Sequence, residues 1–288
     1  MKYLALIVLC CIALTGSAQT PTENTLLWEI SGPGVRKSSF LFGTIHVMPR
    51  DSFYIPASLE RIIPQTEQLV LEIPVDLKPA DMMAVLSGMM MPKGQELQTL
   101  MPDSSYRAFV QFVTDSLDQH IKTYSRLKPI YSSQQISLKY CMDGQTESYE
   151  MYLNKRYKKD KKEVSGLETL QEQLRMLDEI PMEDQVAGLA EIAYAPHEMC
   201  DQFAELVSAY RNQDLTRLAT LMEEEDGENW EQTKTTLLDD RNQKWISLIS
   251  ELIRKNTVLI AVGAGHLGGE YGVVNLLRQA GYEVKPVF

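Results

Sequence analysis

Thr257-Val-Leu-Ile-Ala-Val-Gly263-Ala-Gly265-His266-Leu-Gly268-Gly269 decides the fold. The unbroken apolar run from Val258 to Val262 reads as a strand buried on both faces. Glycines straight after it let the backbone turn sharply and approach a ligand closely. His266 therefore stands just past the carboxyl end of a strand, where open α/β sheets bind their ligands. Phe40-Leu41-Phe42 followed by Gly43-Thr44-Ile45-His46 has the same design. Two histidines, each three residues after a glycine at a strand exit, form the axis of the chain.

The glycine loop contains a decoy. Gly263-x-Gly265-x-x-Gly268 matches the dinucleotide fingerprint, and Glu283 follows at a suitable distance. The context is wrong. The match lies at the end of the chain with one strand after it, and Glu283 falls early in that strand rather than at its carboxyl end. A lone match of this kind carries little weight, so no nucleotide cofactor is expected.

Elsewhere, Thr25 to Ser31 alternates Leu26, Trp28 and Ile30 and reads as a strand. Gly32-Pro-Gly34 turns it into a second strand over Ser39 to Gly43, giving a hairpin that ends at His46. Pro56 to Ile63 suits a helix. Gln68 to Ile73 is a third strand, with Glu72 inside an otherwise apolar run. Residues 76–127 look helical, and Met82, Met83 and Met89-Met90-Met91 suggest flexible core or lid packing. Helix is expected again over Glu150 to Tyr157. Glu163-Val-Ser-Gly166 is a short strand, after which Leu167-Glu168-Thr169 opens a helix closed by Pro181. Residues 183–224 are helical, and Glu223 to Glu228 reads as an acidic surface loop. Asp239-Asp240-Arg241-Asn242 precedes a helix whose Trp245, Leu248, Ile249, Leu252 and Ile253 share one face. After the glycine loop come a helix, Gly281 as its stop, and a last strand from Tyr282 to Val287. The expected class is α/β: a mixed central sheet flanked by helices, with a large helical insertion or cap. A single domain over 19–288 is expected, with helical insertions at about 76–160 and 183–250.

The first eighteen residues stand apart. Met1-Lys2 is followed by an apolar core from Leu4 to Leu14 and by Gly16-Ser17-Ala18. This is the pattern of a secretory signal peptide cut after Ala18, and it implies a periplasmic or extracellular protein. The apolar stretch is shorter than the roughly 20 residues of a membrane span, and Leu9 is too large for lipidation at Cys10. No stable membrane anchor is expected after cleavage. The net charge of −11 argues against nucleic acid as a partner, which demands a positive footprint. Cys141 and Cys200 remain after cleavage; an oxidising compartment permits one bridge between them but does not require it.

The chemistry follows from the strand exits. His46, Glu72 and His266 would project from strand ends. Two imidazoles and a carboxylate are a recurring ligand set for a catalytic metal. Such a metal lowers the pKa of bound water and polarises a carbonyl. Without metal, the same residues could supply a general base and its orienting carboxylate. Either histidine alone would read as a satisfied core residue; the matched pair points to function. His120 and His197 lie in helical stretches and read as structural. Glu168 could cap its helix or enter the site. Arg241 could clamp a substrate carboxylate, stabilise an oxyanion, or pair with Asp239 or Asp240.

Leu41-Phe-Gly-Thr-Ile-His46, Leu69-Val-Leu-Glu72, Gly166-Leu-Glu-Thr169 with Gln173, Asp240-Arg-Asn242 and Val262-Gly-Ala-Gly-His-Leu-Gly268 with Gly281-Tyr282 together resemble the TraB/GumN family. Order and spacing match over essentially all of residues 19–288. Animal members, the TIKI proteins, are membrane-associated metal-dependent proteases with two Gly-x-x-His motifs, and the wider group resembles erythromycin esterases and ChaN-like proteins. The resemblance implies His46, Glu72 and His266 as active-site residues and metal ligands, with Arg241, Asn242 and Glu168 supporting. Members often carry an Asp at the start of the helix after the first insertion, where Ser148-Tyr149-Glu150 stands here. The expectation is therefore an exported hydrolase, metalloprotease-like, using Mn²⁺, Co²⁺ or Zn²⁺ on a peptide or small-molecule substrate. The alternatives are a non-catalytic protein that binds a peptide or small ligand, and a metal-free esterase-like hydrolase.

Overall fold

The computed structural model describes residues 24–226 and 230–288. The signal-peptide reading of residues 1–18 lies outside the described residues.

The strands are β1 (Leu27–Ser31), β2 (Ser39–Thr44), β3 (Met48–Pro49), β4 (Gln68–Leu71), β5 (Thr146–Glu147), β6 (Glu163–Gly166), β7 (Val258–Gly263) and β8 (Glu283–Pro286). Six of them form one sheet in the order β6-β4-β7-β2-β1-β8, while β3 and β5 pair separately. β6, β4, β7 and β2 are parallel to one another, and β1 is antiparallel to both its neighbours. The sheet is mixed, and β7 lies at its interior. Val258 to Val262 are all buried, as a strand covered on both faces must be.

The helices are α1 (Ala57–Ile62), α2 (Pro79–Gly88), α3 (Leu97–Leu100), α4 (Asp103–Asp115), α5 (Pro129–Tyr140), α6 (Tyr149–Lys159), α7 (Leu170–Asp178), α8 (Met182–Tyr194), α9 (Pro196–Arg211), α10 (Leu215–Asp226), α11 (Trp230–Lys234), α12 (Asp240–Lys255) and α13 (Val273–Gln279). Two apolar cores result. One surrounds the sheet and takes in Trp28, Phe42, Tyr149, Tyr210, Trp245 and Ile260. The other lies within the helical insertion, around Leu97, Phe109, Val113, Tyr124, Ile136 and Leu189. Cys141, just after α5, is disulfide-bonded to Cys200 on α9, tying two helices of the insertion together.

Strand register explains why the signal residues meet. Gly43 sits beside Val262 and Thr44 beside Gly263, so the two Gly-x-x-His segments leave the sheet side by side. Leu71 pairs with both Ala261 and Gly166, which brings Glu72 level with these exits. The Glu168 N–H donates to the Glu72 carbonyl at 2.8 Å, carrying the ladder one step further.

The structure corrects several expectations. Residues 76–127 are not one helical stretch but α2, α3 and α4 joined by turns and irregular chain, with a 3-10 turn at Ile121–Thr123. The helix α5 goes unannounced in the sequence, because its Ser- and Gln-rich run lacks a clear apolar stripe. The residues Glu223 to Asp226 belong to α10 rather than to a loop. α2 buries none of its residues, and Met82, Met83, Leu86 and Met90 are exposed; Met91 alone of the run enters the insertion core. His120 precedes a short 3-10 turn and accepts the Lys122 N–H there. Thr169, not Glu168, caps α7, in a reciprocal pair with Glu172. Arg241 and Asn242 lie in the first turn of α12 rather than before it, and a π-helical turn, Thr235–Asp239, leads into that turn.

Candidate active site

The exits of β2, β4, β6 and β7 deliver His46, Glu72, Glu168 and His266 to one edge of the sheet, and α12 closes over them with Arg241, Asn242 and Trp245. All six predicted site residues therefore meet. Gly263 lies at their centre: a Cβ there would be 3.3 Å from Glu72 Oε1, 3.4 Å from His46 Nε2 and 3.7 Å from His266 Cδ2.

Glu72 is the hub. Its Oε1 accepts the Gly263 N–H at 2.7 Å, and its Oε2 accepts Gln173 Nε2 at 3.1 Å and Arg241 Nη2. Burial resists the charged carboxylate, but His266, His46, Arg241 and the Gly263 N–H outweigh it and hold the pKa down at about 2. Glu72 is thus an anion at any physiological pH and a weak base.

His266 is buried, with its side chain 4% exposed. The Asn242 amide nitrogen donates to the Tyr271 carbonyl at 2.9 Å, which aims Asn242 Oδ1 at His266 Nδ1, 2.7 Å away. The proton therefore sits on Nδ1 and the lone pair on Nε2. Arg241 Nη1 donates to that lone pair at 3.0 Å. The Trp245 ring packs on the imidazole at 4.5 Å. Burial dominates and pushes the His266 pKa down to about 3, helped by Arg241 and opposed by Glu72.

His46 is the opposite case. Its side chain is 65% exposed. Nδ1 donates to Glu150 Oε1 at 2.9 Å, which leaves Nε2 facing Glu72 Oε1 across 3.9 Å. The crowded cleft resists charging the ring, but the Glu150 hydrogen bond and charge, with Glu72 behind them, raise its pKa to about 9. Glu150 is held by Thr44 Oγ1 at 2.6 Å and Ser148 Oγ at 2.7 Å. It lies in the first turn of α6, whose N-terminus favours an anion. Glu150 was not among the residues singled out as catalytic. Its sequence signal was the family pattern of an acidic residue at the start of this helix, where Ser148-Tyr149-Glu150 stands.

Arg241 spans the site. Nε donates to Glu168 Oε1 at 2.8 Å and Nη1 to the Leu237 carbonyl at 2.8 Å. Glu168 also accepts the Trp245 indole N–H at 2.7 Å. Beside Glu168 and Arg241 opens a cavity of about 410 Å³, lined also by Leu167, Arg175, Met176 and Trp245. On the other flank, the Tyr210 hydroxyl donates to the Gly43 carbonyl at 2.9 Å and pins the β2 exit.

The donor set can be tested against a divalent ion. Glu72 Oε1 lies 3.9 Å from His46 Nε2 and 3.7 Å from His266 Nε2. Donors in a tetrahedral shell stand about 3.4 Å apart, so the three approach that spacing without reaching it. Among the described residues, no three His, Cys, Asp or Glu side chains stand ready-spaced to hold an ion. The chemistry of the set fits. Each imidazole donates its far N–H to an oxygen, the support typical of metal-bound histidine.

The chain is similar to several known proteins. The "Metalloprotease TIKI2" of Danio rerio is 22% identical, an alignment covering 97% of this chain and 67% of that protein. The "Metalloprotease TIKI homolog" of Amphimedon queenslandica is 25% identical over 94% of this chain and 63% of its own length. "Metalloprotease TIKI1" of Xenopus tropicalis is 22% identical, covering 91% and 61%. The chain thus spans about two thirds of the relatives it matches. No solved structure matches. The family profile for TraB/PrgY/gumN covers residues 26–286, from β1 through β8, and the chain belongs to that family.

Proposed function

We propose that this protein is an exported, divalent-metal-dependent hydrolase acting on a peptide or another carbonyl substrate. The observation that carries this reading is that Glu72 Oε1 faces His46 Nε2 at 3.9 Å and His266 Nε2 at 3.7 Å, each imidazole being oriented from behind by an oxygen acceptor. The metalloprotease names of the relatives support it. Mn²⁺, Co²⁺ or Zn²⁺ would be held by His46, Glu72 and His266, and would supply an activated water and a polarised carbonyl.

The chain's own groups have distinct tasks. Glu150 and Asn242 fix the ring orientations. Arg241 supplies a positive charge that balances the Glu72 and Glu168 carboxylates. The cavity beside Glu168 and Trp245 offers room for substrate next to the reacting centre. Export is supported by the residue pattern of 1–18 and by the Cys141–Cys200 disulfide, which persists in oxidising compartments. Among the described residues, no helix is long and apolar enough to cross a membrane.

Metal analysis of the purified protein, with a peptide-library digest before and after chelation, tests the reading. Bound metal, chelator-sensitive cleavage and its loss in His46→Ala are expected. A metal-free preparation that cleaves as well as the loaded one would overturn it. One observation favours a metal-free hydrolase as the second reading: His46 and Glu150 already form a base-and-carboxylate pair with Nε2 facing the cleft. Cleavage unaffected by chelator but lost in Glu150→Gln would select it.

A further inference from the structure

We infer that Arg241 is a built-in competitor for the metal: its guanidinium occupies His266 Nε2, and loading requires it to withdraw toward Glu168. The inference rests on the metal-dependent reading and concerns how that site is regulated.

The argument starts from one lone pair. Asn242 holds the proton on His266 Nδ1, so Nε2 carries the sole lone pair the ring can offer a metal. Arg241 Nη1 already donates to it at 3.0 Å. A nitrogen lone pair serves one partner, an N–H or a cation. The same guanidinium also donates through Nη2 to Glu72 Oε2, so two of the three proposed ligands are engaged by it. A second cation brought among these groups would meet like charge in a buried setting, where screening is weak.

A place to withdraw to is already in position. Arg241 Nε and Nη2 donate to the two oxygens of Glu168 at 2.8 and 3.3 Å. The Trp245 indole N–H holds that carboxylate at 2.7 Å, and the Trp245 ring lies 4.9 Å from the guanidinium carbon. Glu168 can therefore keep the positive charge when His266 and Glu72 turn to a metal. The π-helical turn Thr235–Asp239 directly precedes α12, and its Leu237 carbonyl takes the Nη1 hydrogen bond. Such wide turns are rare and gather at functional sites.

A purely structural Arg241 predicts the reverse sign for its removal, because loss of a buried ion-pair partner disorders Glu72 and weakens metal binding. The test is calorimetric titration of MnCl₂ and ZnCl₂ into metal-stripped wild type, Arg241→Gln and Glu168→Gln, with thermal melts of each protein. Arg241→Gln should bind at least tenfold tighter than wild type, and the gain should vanish when His46→Ala is added. Glu168→Gln, which removes the place of withdrawal, should bind at least tenfold weaker. Equal or weaker binding by a folded Arg241→Gln, or a gain that survives His46→Ala, overturns the inference while wild-type binding leaves the metal reading intact. Binding by neither wild type nor Arg241→Gln overturns both. Should Arg241→Gln not fold, Glu168→Gln decides alone: unchanged or tighter binding there refutes the inference.

Discussion

His46 and His266 each stand three residues after a glycine on adjacent strands, yet β2 runs on extended through Thr44 while β7 breaks after Gly263 into a 3-10 turn, and the two rings sit in opposite surroundings. His266 is sealed beneath Trp245, accepts a hydrogen bond from Arg241, and stays neutral until about pH 3. His46 stands in the open mouth of the cleft against Glu150, and holds its proton up to about pH 9. The two glycines differ as well. A Cβ on Gly43 would strike Leu267 Cδ1 at 2.6 Å, whereas one on Gly263 would face Glu72, His46 and His266. A shared motif therefore brings both histidines to the same end of the sheet, and the backbone beyond each glycine and the elements packed over each exit decide what the histidine does. One ring is preorganised as a neutral donor by burial; the other is an accessible acid or base made by a neighbouring carboxylate.

The largest test of this contrast compares the two alanine variants. His266→Ala leaves Arg241 and Asn242 short of partners and opens a hole beside Trp245, so it should cost roughly 2–4 kcal/mol of stability. His46→Ala removes an exposed ring and should cost less than about 1 kcal/mol. Both should abolish metal binding and cleavage. Urea melts alongside metal titrations separate the two effects, and equal losses of stability would break the comparison.

The glycines come next. Gly43→Ala forces Leu267 and the turn at Ala264 apart and should destabilise by about 1–3 kcal/mol. Gly263 has an ordinary φ of −51°, so Gly263→Ala should fold nearly as well as wild type. Its methyl group would crowd Glu72 and His46 and should impair metal and substrate binding instead. A Gly263→Ala protein with unaltered binding would argue against Gly263 as the centre of the site.

Proton linkage gives a smaller and directional effect in metal-stripped protein. The folded pKa of His46, about 9, lies above the ordinary 6.5. Its contribution is therefore complete below pH 6.5 and is lost as pH rises through 9. Solvent around the exposed ring trims its size. His266, at about 3, runs the other way: the unfolded ring takes up a proton that the folded one refuses, so stability is lost as pH falls from 6.5 toward 3. Glu72 adds a contribution that is present above pH 4.5 and lost as pH falls through 2. The stability gap between wild type and His46→Ala should close toward pH 9, and the gap to His266→Ala should close toward pH 3. Urea melts across that range show whether the two gaps move in opposite directions.

The smallest change is local. Glu150→Gln keeps a hydrogen-bond acceptor for His46 Nδ1 but removes the charge, so the His46 pKa should fall from about 9 toward the ordinary value. Proton NMR titration of the ring measures this, and an unmoved midpoint would assign the shift to Glu72 instead.

Much of the site was legible in the chain because strand exits leave a short-range signature. An apolar run, a glycine and a polar residue at fixed spacing place His46 and His266, and Glu72 stands out as a carboxylate ending an apolar strand. The partners of Glu150 and the choice between the two roles open to Glu168 were not legible, because both depend on helices that arrive from far along the chain. Glu168 could have been a helix cap or a site residue; Thr169 takes the cap, and Glu168 binds Arg241 and Trp245. The exposed methionines of α2 were misread because composition says nothing of which side of a helix finds a partner.

By itself the sequence determined the α/β class, the two Gly-x-x-His strand exits, the buried central strand and the chemical types gathered at the strand ends. These follow from local periodicity and backbone freedom. Only the tertiary structure decided which histidine is buried, which nitrogen carries its proton, that Arg241 sits on the free lone pair, and that Cys141 meets Cys200. Each of those depends on register between strands and on helices folded back over them, and charge and burial at a point are set by all the atoms around it, not by neighbours in sequence.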